Sequence, residues 1–348
     1  MSLSRPARFP LLMLPWLCIR CVIQNLDELV IIYFATISNR TRRIVKSSNY
    51  PLKEIGVYPS GNCMIRIKER LGKAENEKNW YFMHHMSGTG IPLVLQKGSP
   101  LFLTSRHFSS SRGHYLESYT AVEKLDALKM GIEFMIDLFG CSIWRVLVED
   151  NASELLRLGI STVKELFIHK YEPVDITNLK YLLEYTKVTD RYVIHAPIPA
   201  NFSCDPQIFK CRKLNFAYRN SADWVTLELL CQLDVPQLAF WHHRFSKEDI
   251  VSYATHWINS ENRKLEYVRF QFNNSVSQED FKIDHLDPMP FDEKRRNKCP
   301  FVGGWKGKDM SSGMDILRQD GLLATFYVDF TSVIFYIWHK RFPDVVQP

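Results

Sequence analysis

Little in this chain of 348 residues points to chemistry by a named motif. It has no G-x-S-x-G nucleophile turn, no Walker loop and no H-E-x-x-H metal helix. It also lacks a long uncharged apolar run. Leu29 to Ile37 is only nine residues, too few to cross roughly 30 Å of hydrocarbon. No charge of one sign dominates: the net charge is +6, with Lys and Arg scattered among acids. Neither nucleic acid nor a membrane is expected as a partner on that footing. The eight cysteines are too sparse for a disulfide framework and sit inside apolar patterns, which fits a reducing compartment, cytoplasmic or nuclear. Cys18-x-x-Cys21 has metal-ligand spacing. No second CxxC or His pair follows it, so a structural role is expected there. The adjacent pairs His84-His85 and His242-His243 point apart on a strand and form no metal clamp. The expectation is a chain without catalytic, metal or cofactor-binding residues. An enzyme whose site carries no named motif is the alternative.

What is present begins with Phe9 to Ser47, the most apolar long stretch, cut into short pieces. Pro15 precedes a helix over Trp16 to Asn25, Asn25-Leu26-Asp27 breaks it, and Glu28 to Ile37 forms a second. Ser38 to Val45 is a basic third segment. Three short helices cannot bury that much apolar surface on each other, so the stretch reads as half of an interface. Two other readings compete. One is a signal peptide, with Arg5 and Arg8 ahead of the run Phe9 to Ile19, although Pro10, Pro15 and Arg20 interrupt that run. The other is an ordinary helical piece of a larger core.

Residues 50–116 have a β and loop texture. Lys53 to Tyr58 and Met64 to Lys68 alternate around Pro59-Ser60-Gly61-Asn62, a hairpin signature. Trp80 to Met83 and Pro92 to Leu95 are further strand candidates. Glu117 to Phe139 then shows three- and four-residue apolar spacing and predicts a helix ended by Gly140. Ser142 to Val148 reads as a strand.

From Ser153 the chain repeats. Strands are predicted at Glu165–His169, Arg191–His195, Lys213–Ala217, Gln237–Trp241 and Leu265–Phe270, their starts 22 to 28 residues apart. Helices are predicted between them at Ile176–Tyr185, Pro206–Lys210, Trp224–Leu233 and Lys247–Asn259. Ser246-Lys247-Glu248-Asp249 caps the last of these. Alternating strand and helix implies parallel pairing, in a leucine-rich-repeat-like arc or a single compact α/β domain. Asp320-Gly321 between apolar runs signals a hairpin, Val333 to Trp338 adds a strand, and this antiparallel piece would cover an edge of the repeat sheet. The dense basic run Lys294-Arg295-Arg296 with Lys298 lies in a Pro-rich segment. It reads as a solvated loop, with a nuclear address or a contact to an acidic partner as the other reading. The expected class is α+β or α/β.

Two segments resemble known modules. Phe9-Pro10-Leu11-Leu12, Leu14-Pro15, Ile19, Val22-Ile23, Asn25-Leu26-Asp27, Leu29, Ile32, Ile37-Ser38, Arg40-Thr41 and Ile44-Val45 together resemble an F-box of the nematode F-box families. That resemblance departs at Glu28, where the family usually has Pro, and at Val30, where an acid is common. Both departures are expected to weaken the start of the second helix. Asp223 to Leu230 (DWVTLELL), Ser246 to Ile250 (SKEDI), His256 to Asn259 (HWIN) and Lys264 to Tyr267 (KLEY) are similar to the F-box-associated (type 2) domain. Asp234-Val235 departs from its usual Asn-Cys.

The resemblance implies a disordered 1–8, an F-box over 9–49, a β-rich linker over 50–116 and an F-box-associated domain over 117–340, with its core motif at 224–272. It implies a substrate-recognition subunit of an SCF-type cullin–RING ubiquitin ligase. Pro10, Leu11, Leu14, Pro15, Ile19, Val22, Leu26, Leu29 and Ile32 would dock on the Skp-type adaptor, and the C-terminal module would hold a target protein. The alternatives are an adaptor-independent binding module with a degenerate F-box, or a secreted or enzymatic protein. The target surface is expected near the strand ends bearing Tyr171, His195, Arg219 and His243, since loops on a rigid scaffold carry recognition.

Overall fold

Breaks in the apolar N-terminal stretch fall where turn and cap chemistry demands. In a computed structural model of the chain, α1 (Trp16–Gln24), α2 (Glu28–Thr36) and α3 (Asn39–Ser47) are separated by Asn25-Leu26-Asp27 and by Ser38. The structure describes residues 13–61, 63–67, 78–84, 91–93, 95, 102–109, 113–149, 152–300 and 307–342. The Asp27 carboxylate caps α2 by accepting from the Leu29 amide at 2.9 Å, and a capping box at Ser38 and Thr41 opens α3. Glu28 does not weaken the start of α2. It is the buried first residue of that helix and receives the Lys78 ammonium at 2.5 Å, while Asp27 receives it at 2.6 Å. Burial works to raise the Asp27 carboxyl, but Lys78 and the α2 amides outweigh it and hold it below its usual range.

The chain divides into two compact units, residues 1–147 with 157–159, and residues 148–156 with 160–348. In the first, β1 (Glu54–Tyr58) and β2 (Met64–Ile67) form the expected hairpin. Strands β3 (Lys78–His84), β4 (Ile91–Leu93), β5 (Phe102–Ser109), β6 (Gly113–Thr120) and β7 (Ser142–Val148) extend it in the order β7-β1-β2-β3-β6-β5-β4. The β5–β6 hairpin was not legible in the sequence, and it corrects the expected helix. Residues 117–120 are strand, and α4 runs only over Lys124–Phe139. The three-residue spacing of that helix continued by chance into an alternating strand. Gly140 ends α4 in the left-handed conformation, φ +63°, which Gly adopts without penalty.

Helix α4 lies on β2 and β3, with Phe134 edge-on to Trp80 at 6.0 Å. Gly131 makes this approach possible, because a Cβ there would stand 2.2 Å from the Phe82 ring. A buried polar chain crosses the same sheet: the Trp80 indole donates to Ser118 Oγ at 2.8 Å, and Ser118 pairs with Thr104 at 2.7 Å.

After α5 (Ala152–Leu158), strands β8 (Thr162–His169), β9 (Lys187–His195), β10 (Lys213–Phe216), β11 (Gln237–Phe240) and β12 (Tyr267–Gln271) each pair in parallel with the next. Helices α6 (Ile176–Tyr185), α7 (Leu227–Gln232) and α8 (Lys247–Asn259) connect them, with a 3₁₀ turn at Pro206–Ile208 standing in for a helix between β9 and β10. The register aligns Ile168, Ile194, Phe216, Phe240 and Phe270 in one row. The three phenylalanines stack at 5.1 and 5.4 Å with near-parallel rings. Trp224 packs on this face through Phe216 and Tyr253 of α8 through Phe270.

The sheet is closed antiparallel. The Asp320-Gly321 turn joins β13 (Met314–Leu317) to β14 (Leu323–Asp329), and β15 (Ser332–Trp338) lies between β14 and β12. Arg318 beside that turn ends α8 by donating to the carbonyls of Trp257, Ser260 and Asn262.

The basic run at Lys294–Lys298 is not a solvated loop throughout. Arg296 is fully buried: its Nε meets Asp315 at 2.7 Å, and its other nitrogens donate to the carbonyls of Asn297 and Met310. The guanidinium lies over Phe291 and Trp338, with Arg295 and Thr325 as further partners of Asp315. A local charge count could not show a counter-ion 19 residues away.

Two stability changes follow. Gly131→Ala, although better in an isolated helix, is expected to lower the unfolding free energy by about 1–3 kcal/mol through the clash with Phe82. Arg296→Met leaves Asp315 buried beside a weaker partner set and is expected to cost about 3–5 kcal/mol, with Arg296→Lys recovering little because the three donors of one ammonium radiate from a single atom and cannot span acceptors set around a planar guanidinium. Urea unfolding of each variant measures both; wild-type midpoints would contradict these packing arguments.

Candidate functional site

Two surfaces are candidates, one in each unit. The first is the outer side of α1. The sequence-predicted adaptor residues do not share one surface. Ile19, Leu29 and Ile32 are buried within the first unit. Leu14, Val22 and Leu26 are half-buried and Pro15 is exposed. Pro10 and Leu11 lie outside the described residues. The apolar side chains that do face outward are Met13 (79% exposed), Trp16, Leu17 (71%) and Ile37. Leu17 projects from α1 on the side away from the buried Ile19 and Ile23, Trp16 stands at the exposed first turn above them, and Met13 precedes the helix. Alternation of apolar positions was visible in the sequence, but not which of the two faces the chain itself would cover.

The second surface is set by the parallel strands. Because β8 to β12 run the same way in register, their C-terminal ends come out along one rim. In open α/β sheets this is where ligands bind. Of the residues expected there, Tyr171, His195, Arg219 and His243 all lie at or just past strand ends. They fall into two groups. The first is aromatic: His169 and His195 stack at 4.7 Å with rings 9° apart, Tyr218 lies 4.6 Å from His195, and the exposed Tyr171 lies edge-on at 6.1 Å from Tyr218. Burial, followed by neighbouring His169, lowers the His195 pKa.

The second group is polar and builds a cleft of about 380 Å³ between the ends of β10, β11 and β12. Arg219 and Asn220 come from the loop after β10, His242, His243 and Arg244 from the loop after β11, and Asn273 from beyond β12. Asp223 holds the exposed Arg244 guanidinium at 2.9 Å. His243 sits in an aromatic box of Phe245, Phe270 and Phe272 at 5.1–5.6 Å, and neither of its ring nitrogens has a hydrogen-bond partner. Burial there lowers its pKa to about 4. Trp241, which the sequence did not single out as a surface residue, follows the last residue of β11 and is 40% exposed with the Arg269 guanidinium 4.5 Å from its ring centroid. Among the described residues no three His, Cys, Asp or Glu side chains are grouped to hold a metal ion, and no helix is long and apolar enough to cross a membrane. His84 reaches the Val122 carbonyl at 3.1 Å, and His85 lies outside the described residues.

The low His243 pKa sets a pH window. Between pH 6.5 and about 4 the unfolded chain takes up a proton that the folded chain refuses. Stability therefore falls as pH falls through that window, by up to about 3 kcal/mol from this group alone. His243→Phe is expected to flatten the dependence of unfolding free energy on pH over the same range. Parallel curves for variant and wild type would show that the imidazole is not held neutral by its box.

Residues 205–270 match the protein family described as F-box associated. The match runs from the turn before β10 through α7, β11 and α8 to β12, the elements that build the cleft. Two uncharacterized proteins of Caenorhabditis elegans align with the chain. One is 25% identical over 240 residues, covering 60% of this chain and 55% of that protein. The other is 31% identical over 136 residues, covering 36% of this chain and 31% of that protein. The chain thus spans about half the length of the first and a smaller share of the second. No solved structure matches the chain. Residues 205–270 therefore form an F-box associated domain, in a chain homologous to these nematode proteins.

Proposed function

We propose that this chain is the substrate-recognition subunit of an SCF-type cullin–RING ubiquitin ligase. It works by proximity: one surface holds the Skp-type adaptor and with it the cullin ligase, the other holds a target protein, and the gain is effective concentration rather than bond chemistry. The observation that carries the target half is the coincidence of the F-box associated match with the strand–helix units that build the polar cleft. The repeat-like order of parallel strands, leucine-rich-repeat-like in its succession of neighbours, suits an extended recognition rim. For the adaptor half, support comes from the three helices at the positions of the F-box resemblance and from the exposed Met13, Trp16, Leu17 and Ile37, apolar side chains of the kind that interfaces cover. A cytoplasmic or nuclear place follows from this reading, as does the absence of catalytic activity.

Co-purification tests it. The full chain is expected to retain a Skp-type adaptor. Leu14→Ala with Pro15→Ala is expected to weaken the complex, and Trp16→Asp with Leu17→Asp to abolish it, because a charge on each would have to be buried unpaired. Both pairs lie on exposed or half-exposed positions, so circular dichroism should be unchanged. An adaptor complex indifferent to all four substitutions, or no complex at all, would instead favour an adaptor-independent binding module.

A further inference from the structure

The cleft at the ends of β10, β11 and β12 carries more polar capacity than the fold uses. Arg219 is exposed and, among the described residues, engages no acid. The side chains of Asn220 and Asn273 are likewise exposed. Asn220 holds a left-handed backbone, φ +59°, in a loop position where Asn tolerates that conformation better than most residues. His243 lines the cleft with both ring nitrogens buried, so the exposed donors are those of the arginines and carboxamides. Against the guanidiniums of Arg219 and Arg244 the lining sets one carboxylate, Asp223, and Arg244 already holds it. The cleft is therefore rich in donors and positive by one charge.

We propose that this cleft binds an anionic side chain, a carboxylate or a phosphomonoester, carried on an extended segment of the target protein. The proposal rests on the rim being the target site and adds the chemistry it selects. Guanidinium groups recognise both anions through paired N–H donors, and carboxamides add neutral donors beside them. Strands about 4.8 Å apart place the five parallel strand ends over roughly 19 Å, the reach of about six extended residues. A segment lying along the rim with its anion in the cleft would pass the strand ends that bear the exposed Trp241 and, further along, Tyr171 with Tyr218, as apolar contacts for its neighbouring side chains. A single excess charge is far short of the basic stripe a nucleic-acid backbone needs, so the observations favour a protein ligand.

Fluorescence anisotropy on the full chain reads this out. The probes are short fluorescein-labelled peptides of one Gly-Ser-Tyr background whose central residues are glutamate, phosphoserine, glutamine or lysine. The glutamate or the phosphoserine peptide is expected to bind at least about 10-fold more tightly than the glutamine peptide, and the better of the two identifies the anion. Arg219→Ala is expected to remove about 10-fold of that preference, with Arg219→Lys keeping part of it. Arg219 is exposed, so neither variant should disturb the fold. Equal binding of all four peptides, lost in Trp241→Ala, would overturn the anionic selectivity and leave the rim as a target site. An Arg219→Ala variant with unchanged preference would move the selectivity out of this cleft. No binding by any peptide would remove the rim as a target site, and this proposal with it.

Discussion

The in-register parallel pairing of β8 to β12 is the constraint on which the second unit depends. Parallel neighbours cannot be joined by a tight turn, so each strand must be followed by a crossover. Pairing residue for residue then puts like positions in rows. One row is Ile168, Ile194, Phe216, Phe240 and Phe270. Burying each of these side chains contributes about 1.5–3 kcal/mol, and the stacked rings add about 0.5–1.5 kcal/mol per pair. A slip of one residue in any strand would turn its member of the row to the other face and forfeit that gain. The same register fixes where the strands stop. Tyr218, Trp241 and Phe272 reach the rim because the row behind them is aligned, so the site is a consequence of the core.

The antiparallel close depends on a different kind of interaction. Strand β15 pairs with both β12 and β14, which leaves Asp315 on β13 inside the unit with no water to solvate it. A lone buried carboxylate would cost several kcal/mol. Here one oxygen accepts from Arg296 Nε and Thr325 Oγ1, the other from Arg295, and Thr325 in turn accepts from the Trp338 indole. Arg296 has its remaining donors on main-chain carbonyls and its two faces on aromatic rings. The pair therefore pins the segment around residue 296 against β13 in one position. Apolar packing alone would tolerate sliding there.

This contrast explains what could be read from the sequence. The three N-terminal helices, the five parallel strands, α6, α8 and the Asp320-Gly321 hairpin were all visible because each is written locally, in spacing, a cap or a turn pair. Glu117 to Thr120 was misread because four residues of strand happened to fit the phase of the helix that follows. Arg296 was misread because its meaning lies in Asp315, which no local window joins to it. The candidate site was legible to the same degree. Strand ends bearing Tyr171, His195, Arg219 and His243 followed from the predicted strands. Trp241 and the aromatic box that neutralises His243 did not, since they depend on which strand lies next to which.

The N-terminal helices show why an apolar position is not yet a contact position. On α1 Ile19 and Ile23 are consumed by the unit's own core, while Leu17 on the far side, Trp16 in the first turn and Met13 just before the helix stay in water. The first set makes the helix part of a fold, and the second gives it something to offer. Leu29 and Ile32 on α2 belong wholly to the first set, and Lys78 anchors the start of that helix through Asp27 and Glu28. A partner on α1 thus meets a surface whose backbone is already ordered, so little entropy is lost on association. The rim of the second unit is chemically unlike it, with guanidiniums, carboxamides and single aromatic rings in place of a continuous apolar side. Apolar area binds with little regard to sequence, whereas placed donors discriminate by what they leave unpaired. The two surfaces thereby differ in chemistry as well as in position in the chain.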